Sequence, residues 1–575
     1  MAENRTTSFE VEYDLSDTTA LSDSTPVSTD NKDFANINLL KQNSTTNEYL
    51  TLEHNFSVLD NSLSELPQTP TDVAFFSKDM SDANGEFENN PVIDISFSTY
   101  HSSFAFTLTF LREHPLEVFV TWYHDSSILY RGTFEVTDET FVVKRDVQLY
   151  NRVRLEFTKT VPYHYVKLKF LRYGLFILWN ELNVKNGSIV QELNRVSDKI
   201  SINTLSFEVI DVDDEMNFGN VSGMHNYYQR NQPMYPYEII NGQRISLGTY
   251  FLNKFSNDKN LGKMVSQSYM GIMDTIQFNE GQVYNGATAG GVLSSIFAVA
   301  GITNYTIDEE TYEQLLYGTI RPSSCRNALK EVLFACHSCI DTTEPDTIII
   351  RKQGHGIVSN ISRNLKFSTT VQKAEYVSGV EVKYTTYTLS DNVSQIVKSE
   401  YLEGNHKVIF SEPYSNVTIT GATATKIRPF YIEFTVETAG EVVISGTKYD
   451  SINNSVVCTT DYIAPGEAEN IKTFNSTLCN AQTATDLANK LLEYYSLNKL
   501  IIKIKHLADS NSMSDMRTIE NTTPHMNNYI GRFEKRSINL TGGFIDTAQL
   551  VGYFDTQDYY YFTGTELYAG DDFIL

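Results

Sequence analysis

The sequence predicts a mainly β, multidomain protein. Three observations lead there: apolar and polar residues alternate through many short runs, helical spacing is confined to three stretches, and 575 residues exceed what one hydrophobic core ordinarily supports. In Phe104-Ala105-Phe106-Thr107-Leu108-Thr109-Phe110, the residues Phe104, Phe106, Leu108 and Phe110 are placed to face a core, with Thr107 and Thr109 facing out. Successive side chains of a strand point to opposite sides, so this pattern specifies a half-buried sheet.

Taken in order, residues 1–45 are rich in Ser, Thr, Asp and Asn and read as an extended N-terminal arm. Residues 46–180 read as a β-sandwich, with a polar turn around Gly85 and strands at Phe104–Phe110, Val118–Tyr123, Val153–Phe157 and Val166–Phe170. Lys167 and Lys169 alternate there with Val166, Leu168 and Phe170, which predicts one wet and one dry face. Residues 181–270 form a second β-domain that includes Leu205–Ile210 and Ile239–Leu252.

At Thr288 the period changes. Ala289, Val292, Leu293, Ile296, Phe297 and Ala300 fall at helical spacing, and Gly301 is placed to end the helix in a left-handed cap. Pro322-Ser323-Ser324 opens a second stripe of Cys325, Ala328, Leu329, Val332, Leu333 and Cys336, and Ile348-Ile349-Ile350 suits a buried strand, so 271–365 reads as an α+β insert. Alternation resumes at Val380, Val382 and Tyr384. Residues 366–575 read as a further β-domain with one helix, striped by Ala484, Leu487, Ala488, Leu491, Leu492 and Tyr495, then strands in Gly531–Val551 and at Tyr559–Tyr561.

With 45 basic against 71 acidic residues the formal charge is -26. That field opposes nucleic acid and anionic membrane, because duplex binding rests on Lys and Arg neutralising phosphates. Tyr and Phe number 35 and 33 against 2 Trp, a composition suited to half-buried sheets and to interfaces. The five cysteines, Cys325, Cys336, Cys339, Cys458 and Cys479, are an odd number in a long chain and point to assembly in a reducing cytoplasm. No apolar signal core opens the sequence and no apolar run reaches membrane-spanning length, so neither secretion by an N-terminal signal nor membrane insertion is expected.

Several weak motifs in a fixed order carry a resemblance. Thr51-Leu52-Glu53-x-Asn55, Leu59-Asp60, the Ser81–Phe87 turn and His101-Ser102-Ser103 before a strand resemble the discoidin-like jelly-roll domain near the N-terminus of tail and baseplate proteins from phages and prophages of low-GC Gram-positive bacteria. Leu205-Ser206-Phe207-Glu208-Val209, Gly248-Thr249-Tyr250-Phe251-Leu252, Met273-Asp274 and Gly281-Gln282-Val283-Tyr284 resemble that family's hub-like region, and Gly531–Gly543, ending Asn539-Leu540-Thr541-Gly542-Gly543-Phe544, resembles its C-terminal hairpin. The similarity runs from about residue 46 to the end. Two departures stand out: Phe76-Ser77 replaces a Trp-Ser pair, and Leu59-Asp60-Asn61 replaces a Leu-Asp-Gly step that Asn, tolerant of positive φ, can still turn.

The resemblance implies a discoidin-like β-sandwich followed by hub-like β-barrel domains with the α+β insert between them. It also implies a non-enzymatic structural subunit of a phage tail tip or baseplate, forming a ring with copies of itself and linking the tail tube to peripheral attachment proteins in the virion. The alternative is a carbohydrate-binding host-attachment protein that uses the N-terminal β-sandwich.

Cys336-His337-Ser338-Cys339 invites a redox or zinc reading, but Cys325 and Cys336 lie on an apolar helical stripe and no second Cys/His pair stands at suitable distance, which favours packing. Asp211-Val212-Asp213-Asp214-Glu215 lacks the spacing of a calcium loop and reads as a solvated turn. No metal, cofactor or catalytic residue is expected; no Gly-x-Ser-x-Gly, zincin or phosphate-loop pattern occurs. For a host cell-surface glycan, Trp122, Tyr123, His124 and Asp125 stand where a strand runs into a turn and offer an aromatic platform with hydrogen-bonding groups, and His101 and Arg131 can join them. The competing reading makes Trp122 a core residue and the rest an ordinary turn.

Overall fold

The computed structural model describes residues 6–42, 51, 53, 73–212, 214–221, 223, 225, 228–353, 358–461, 463, 466–508, 513–520, 528–554, 561–563 and 566–568. Most of Tyr49–Ser62, Asp213, and Tyr559 and Tyr560 therefore lie outside the described residues. The chain divides into two compact units, residues 12–178 and residues 1–11 with 179–575. Both are mainly β.

Residues 7–27, read from sequence as part of an arm, hold the strand Thr7–Ser16, the helix Thr18–Asp23 and the strand Thr25–Val27. Alternation inside a polar composition explains the difference: Phe9, Val11 and Tyr13 are all buried. Asp17 caps the helix, its carboxylate accepting from the N–H groups of Thr19 at 2.8 Å and Ala20 at 3.1 Å.

The unit 12–178 is a β-sandwich. One sheet runs in the order Thr25–Val27, Val92–Ser103, Val147–Lys159, Glu117–His124, Ser127–Glu135, and the other in the order Phe75–Phe76, Lys167–Arg172, Phe106–Phe110, Thr140–Val143. Ile93, Ile95, Val118, Val120, Val153 and Leu155 meet Phe75, Phe106, Leu108 and Phe110 in one core. Burying each of the aromatic side chains contributes roughly 1.5–3 kcal/mol. At the expected turn Gly85 has φ 80°, and the Asp82 carboxylate accepts from the N–H groups of Asn84 at 2.7 Å and Glu86 at 3.0 Å.

Simple alternation fails at several residues. Phe104, expected inside, stands ahead of the strand Phe106–Phe110 and is only half-buried, while Ala105 is buried. Thr107, expected outside, is fully buried, and its hydroxyl donates to the Gly174 carbonyl at 2.7 Å. Lys167, expected on a wet face, is buried against Glu53. Thr107 and Lys167 both lie on central strands of the four-stranded sheet, and each is satisfied by a partner distant in sequence.

In the second unit, strands from both halves of the sequence join one sheet, in the order Pro233–Ile240, Tyr250–Asp258, Leu261–Gln267, Thr204–Ile210, Val184–Glu192, Tyr529–Asn539, Ile545–Phe554, Leu500–Leu507, Lys366–Lys373. The seam is the antiparallel pairing of Ser188 with Asn539 through Glu192 with Lys535. The resemblance implies closed barrels; among the described residues this hydrogen-bonded path is open, since its end strands do not pair with each other, and the two β-segments share one sheet through the seam.

Between them stands the α+β insert. The helix Ala289–Ala300 is capped by Thr288 and ends at Gly301 with φ 71°, the left-handed cap that the spacing predicts. The helix Cys325–Cys336 is capped by Ser324 and ends at His337, itself left-handed at φ 49°. Its stripe packs with the helix Ala481–Leu497, which opens on an Asn480/Thr483 capping box, and with Val380 and Val382 in a shared core. The strands Gly379–Tyr401 and Gly440–Thr459 pair over most of their length and lead to a smaller sheet of Gly404–Ile409, Tyr431–Val436 and Thr423–Arg428, whose core of Phe410, Val417, Ile432 and Phe434 is separate.

Candidate ligand-binding site

The turn between Glu117–His124 and Ser127–Glu135 brings polar and aromatic groups to one place on the sandwich. Asp125 sits there with φ 52°, a conformation that a short polar side chain tolerates. Its N–H donates to Asn151 Oδ1 at 2.7 Å, and Asn151 Nδ2 donates back to Asp125 Oδ1 at 2.8 Å. The Tyr100 hydroxyl donates to the same carboxylate, at 3.0 and 3.2 Å from its two oxygens. By accepting that bond, the Asp125 carboxylate holds the Tyr100 phenol above its ordinary pKa.

The rings of Tyr100 and His124 stack, with centroids 4.6 Å apart and planes at 15°. His124 Nδ1 donates to the Leu149 carbonyl at 2.7 Å, which turns Nε2 toward Asp125, 4.0 Å away. Leu149 holds φ 55° with its side chain exposed, an arrangement uncommon for leucine and maintained by the Ser102 hydroxyl, which accepts its N–H at 3.0 Å. Tyr100 is 48% exposed. Stacked rings beside a carboxylate and an amide can hold a flat, hydroxyl-bearing ligand by contact and hydrogen bonds.

The predicted residues separate. His124 and Asp125 come together here. Trp122 does not: it is 1% exposed, on the inward parity of Val118 and Val120, with its ring against Phe106 and Tyr130. Tyr123 faces the other side of the sheet, under the Arg152 guanidinium at 4.8 Å. Arg131 is exposed further along the ladder, opposite Thr121.

His101 lies beneath the surface, with Nδ1 3.3 Å from Asp17 Oδ2 and Nε2 2.9 Å from Asp23 Oδ2. The Ser98 hydroxyl, His101 and the Thr99 N–H hold the Asp23 carboxyl well below its ordinary pKa. His101 thus ties the helix Thr18–Asp23 to the strand Val92–Ser103. Sequence reasoning missed Tyr100 and Asn151. Tyr100 had a signal, being adjacent to His101 on the opposite parity of the strand; Asn151 had none, since its partner is 26 residues away.

The other candidates are internal. Cys336 and Cys339 are buried, and burial pushes their thiols up to about 12 and about 11. Asp211 is buried, its carboxylate accepting the Met216 N–H at 2.9 Å and closing the turn. Among the described residues, no three His, Cys, Asp or Glu side chains are grouped to hold a metal ion, and no helix is long and apolar enough to cross a membrane.

No family model matches the chain, and no curated protein matches it. Similar solved structures include the tail protein from Neisseria meningitidis MC58, at 11% identity and TM-score 0.39 over 65% of this chain and 93% of that one. The prophage tail protein gp18 from Listeria monocytogenes EGD-e matches at 9% identity and TM-score 0.35, over 66% of this chain and 92% of that one. The family 32 CBM from C. perfringens NanJ, solved in complex with galactose, matches at 8% identity and TM-score 0.19, over 30% of this chain and 99% of that one.

Proposed function

We propose that this chain is a non-enzymatic structural subunit of a phage tail tip or baseplate, in which copies assemble a hub-like ring that links the tail tube to peripheral attachment proteins. The observation that carries the reading is the pair of long strands Gly379–Tyr401 and Gly440–Thr459, which project apolar side chains into solvent, Val393 at 69% and Ile452 at 61% exposure. Apolar side chains that reach solvent along paired strands are suited to burial against a neighbouring protein. The ordered motifs from about residue 46 onward supply the setting. Particles produced with an epitope-tagged copy and stained with gold-labelled antibody should carry the label at the distal end of the tail; purified particles without label overturn the reading.

A second reading is favoured by the Tyr100–His124 stack beside Asp125 and Asn151. Here the sandwich binds a host cell-surface glycan and the rest of the chain anchors it. Deleting the sandwich unit, residues 12–178, separates the two: assembled tails that no longer adsorb support glycan binding, and loss of tail assembly supports the structural role.

A further inference from the structure

The strand Gly379–Tyr401 has one edge paired to Gly440–Thr459 along most of its length, but among the described residues its other edge is paired only as far as Tyr384, where the parallel strand Ile471–Ser476 ends. Beyond Ser476 the chain bends away, and the Leu478 and Thr477 carbonyls accept from the N–H groups of Tyr317 and Thr319. From Thr385 to Leu389 the second edge faces a groove of about 520 Å³ whose walls include Tyr284, Tyr317 and Tyr449. Alternate residues of a strand turn N–H and C=O toward each edge, so this stretch offers backbone donors and acceptors to the groove.

Natural sheets blunt such edges with charges, proline or a covering element. Thr385-Thr386-Tyr387-Thr388-Leu389 has no charged residue and no proline, and Leu389 is 41% exposed. In a chain of charge -26, every residue that lines this groove is uncharged. The opposite end of the same four-stranded sheet is the strand Tyr414–Thr420, Tyr-Ser-Asn-Val-Thr-Ile-Thr, which is also uncharged; its outer edge is engaged at the start, where the Tyr414 N–H donates to the Pro429 carbonyl at 2.8 Å, so the stretch available for pairing is Ser415–Thr420. The sheet thus ends on both sides where the long-range repulsion between two acidic copies is locally relieved.

We propose that this groove takes a second copy of the chain by strand addition, the Ser415–Thr420 edge of one copy extending the Thr385–Leu389 edge of the next. Main-chain hydrogen bonds provide the attachment and the tyrosines close over the incoming side chains. The contact is head-to-tail, so repetition closes a ring when the rotation per copy permits. The inference rests on the ring-forming role proposed above and names the surface through which the ring is built.

Sedimentation velocity of the full chain across a dilution series tests it. Wild type is expected to self-associate. Thr386→Lys, which places a charge in the groove, and Thr418→Lys, which places one on the other edge, should each weaken association by roughly tenfold or more. A mixture of the two variants retains one intact pair of edges and should form dimers; this also shows that both variants are folded. In wild type, amide exchange at 385–389 should slow on association. Association unchanged in both variants overturns the strand-addition contact while leaving ring formation standing. A wild type that stays monomeric throughout overturns both, and variants that fail to dimerise on mixing, with no slowing at 385–389 in associated wild type, overturn the contact.

Discussion

Lys167 and Glu53 form an ion pair from which solvent is shut out, with side-chain exposures of 1% and 0%. Glu53 Oε1 also accepts the Tyr165 N–H at 2.8 Å. Burial lowers the pKa of Lys167, and the Glu53 charge opposes that shift. The pair sits beside the four-stranded sheet and ties residue 53, in the segment with the N-terminal motifs, to a central strand.

Breaking that pair should be severe. Glu53→Gln leaves a buried ammonium without its counter-charge and is expected to destabilise the sandwich by about 3–5 kcal/mol, whereas the double change Glu53→Gln with Lys167→Met should recover most of the loss. Thermal unfolding of the three proteins decides; equal losses in the single and double variants would show that packing, not charge, dominates.

Acid should release the helix Thr18–Asp23. The folded-state pKa of Asp23 lies below its ordinary value of 3.8, so its contribution is fully present above that value and is lost as pH falls through the folded pKa. The difference in melting temperature between wild type and Asp23→Asn should therefore be largest near neutral pH and shrink below about pH 4. A difference that stays constant down to low pH contradicts the linkage.

His337 carries the opposite linkage. Burial first, then Lys490, Lys352 and Arg532, push its pKa from 6.5 down to about 4. The unfolded chain then takes up a proton before the folded one as pH falls from 6.5, and stability declines until about pH 4. A gap of about 2.5 pH units corresponds to roughly 3 kcal/mol. His337→Asn keeps a residue suited to the left-handed cap and removes the titration, so calorimetry should show a flatter stability profile between these pH values for the variant.

Glu280 joins the insert to the smaller sheet by contacting Lys426 and Arg428, with Arg428 Nη2 2.6 Å from Glu280 Oε2. Burial raises the Glu280 pKa, but these two cations outweigh it and hold the carboxyl below its ordinary value. Partly exposed pairs are modest, so Glu280→Gln should cost about 1 kcal/mol and speed amide exchange in Thr423–Arg428, and added salt should have the same effect on wild type. Exchange insensitive to both would place the attachment elsewhere.

If the sandwich binds glycan, Tyr100→Ala should lower retention of the full chain on host polysaccharide roughly three- to tenfold, the usual size of an aromatic contact. Arg131→Ala, outside the Tyr100–Asp125 cluster, should not. Equal retention of wild type and Tyr100→Ala removes the stack from any binding role.

Period and caps were legible in the sequence because they are local. Alternation specified the sandwich strands, the stripe ending at Gly301 specified a helix and its cap, and the stripe from Cys325 to Cys336 specified another, each through geometry repeated every few residues. The same locality hid the strand inside Thr7–Ser16 behind a polar composition and left Asn151 unmarked.

Only the tertiary structure decided how distant pieces meet. The pairing of Ser188 with Asn539 turns two β-segments into one sheet; the burial of Lys167 depends on a carboxylate 114 residues away; and Trp122 turns inward while its neighbour His124 stacks on Tyr100. The physical reason is common to all three. Alternation says that a strand has two faces, but which face is buried, and which partner satisfies a charge placed there, is set by contacts that no short stretch of sequence contains.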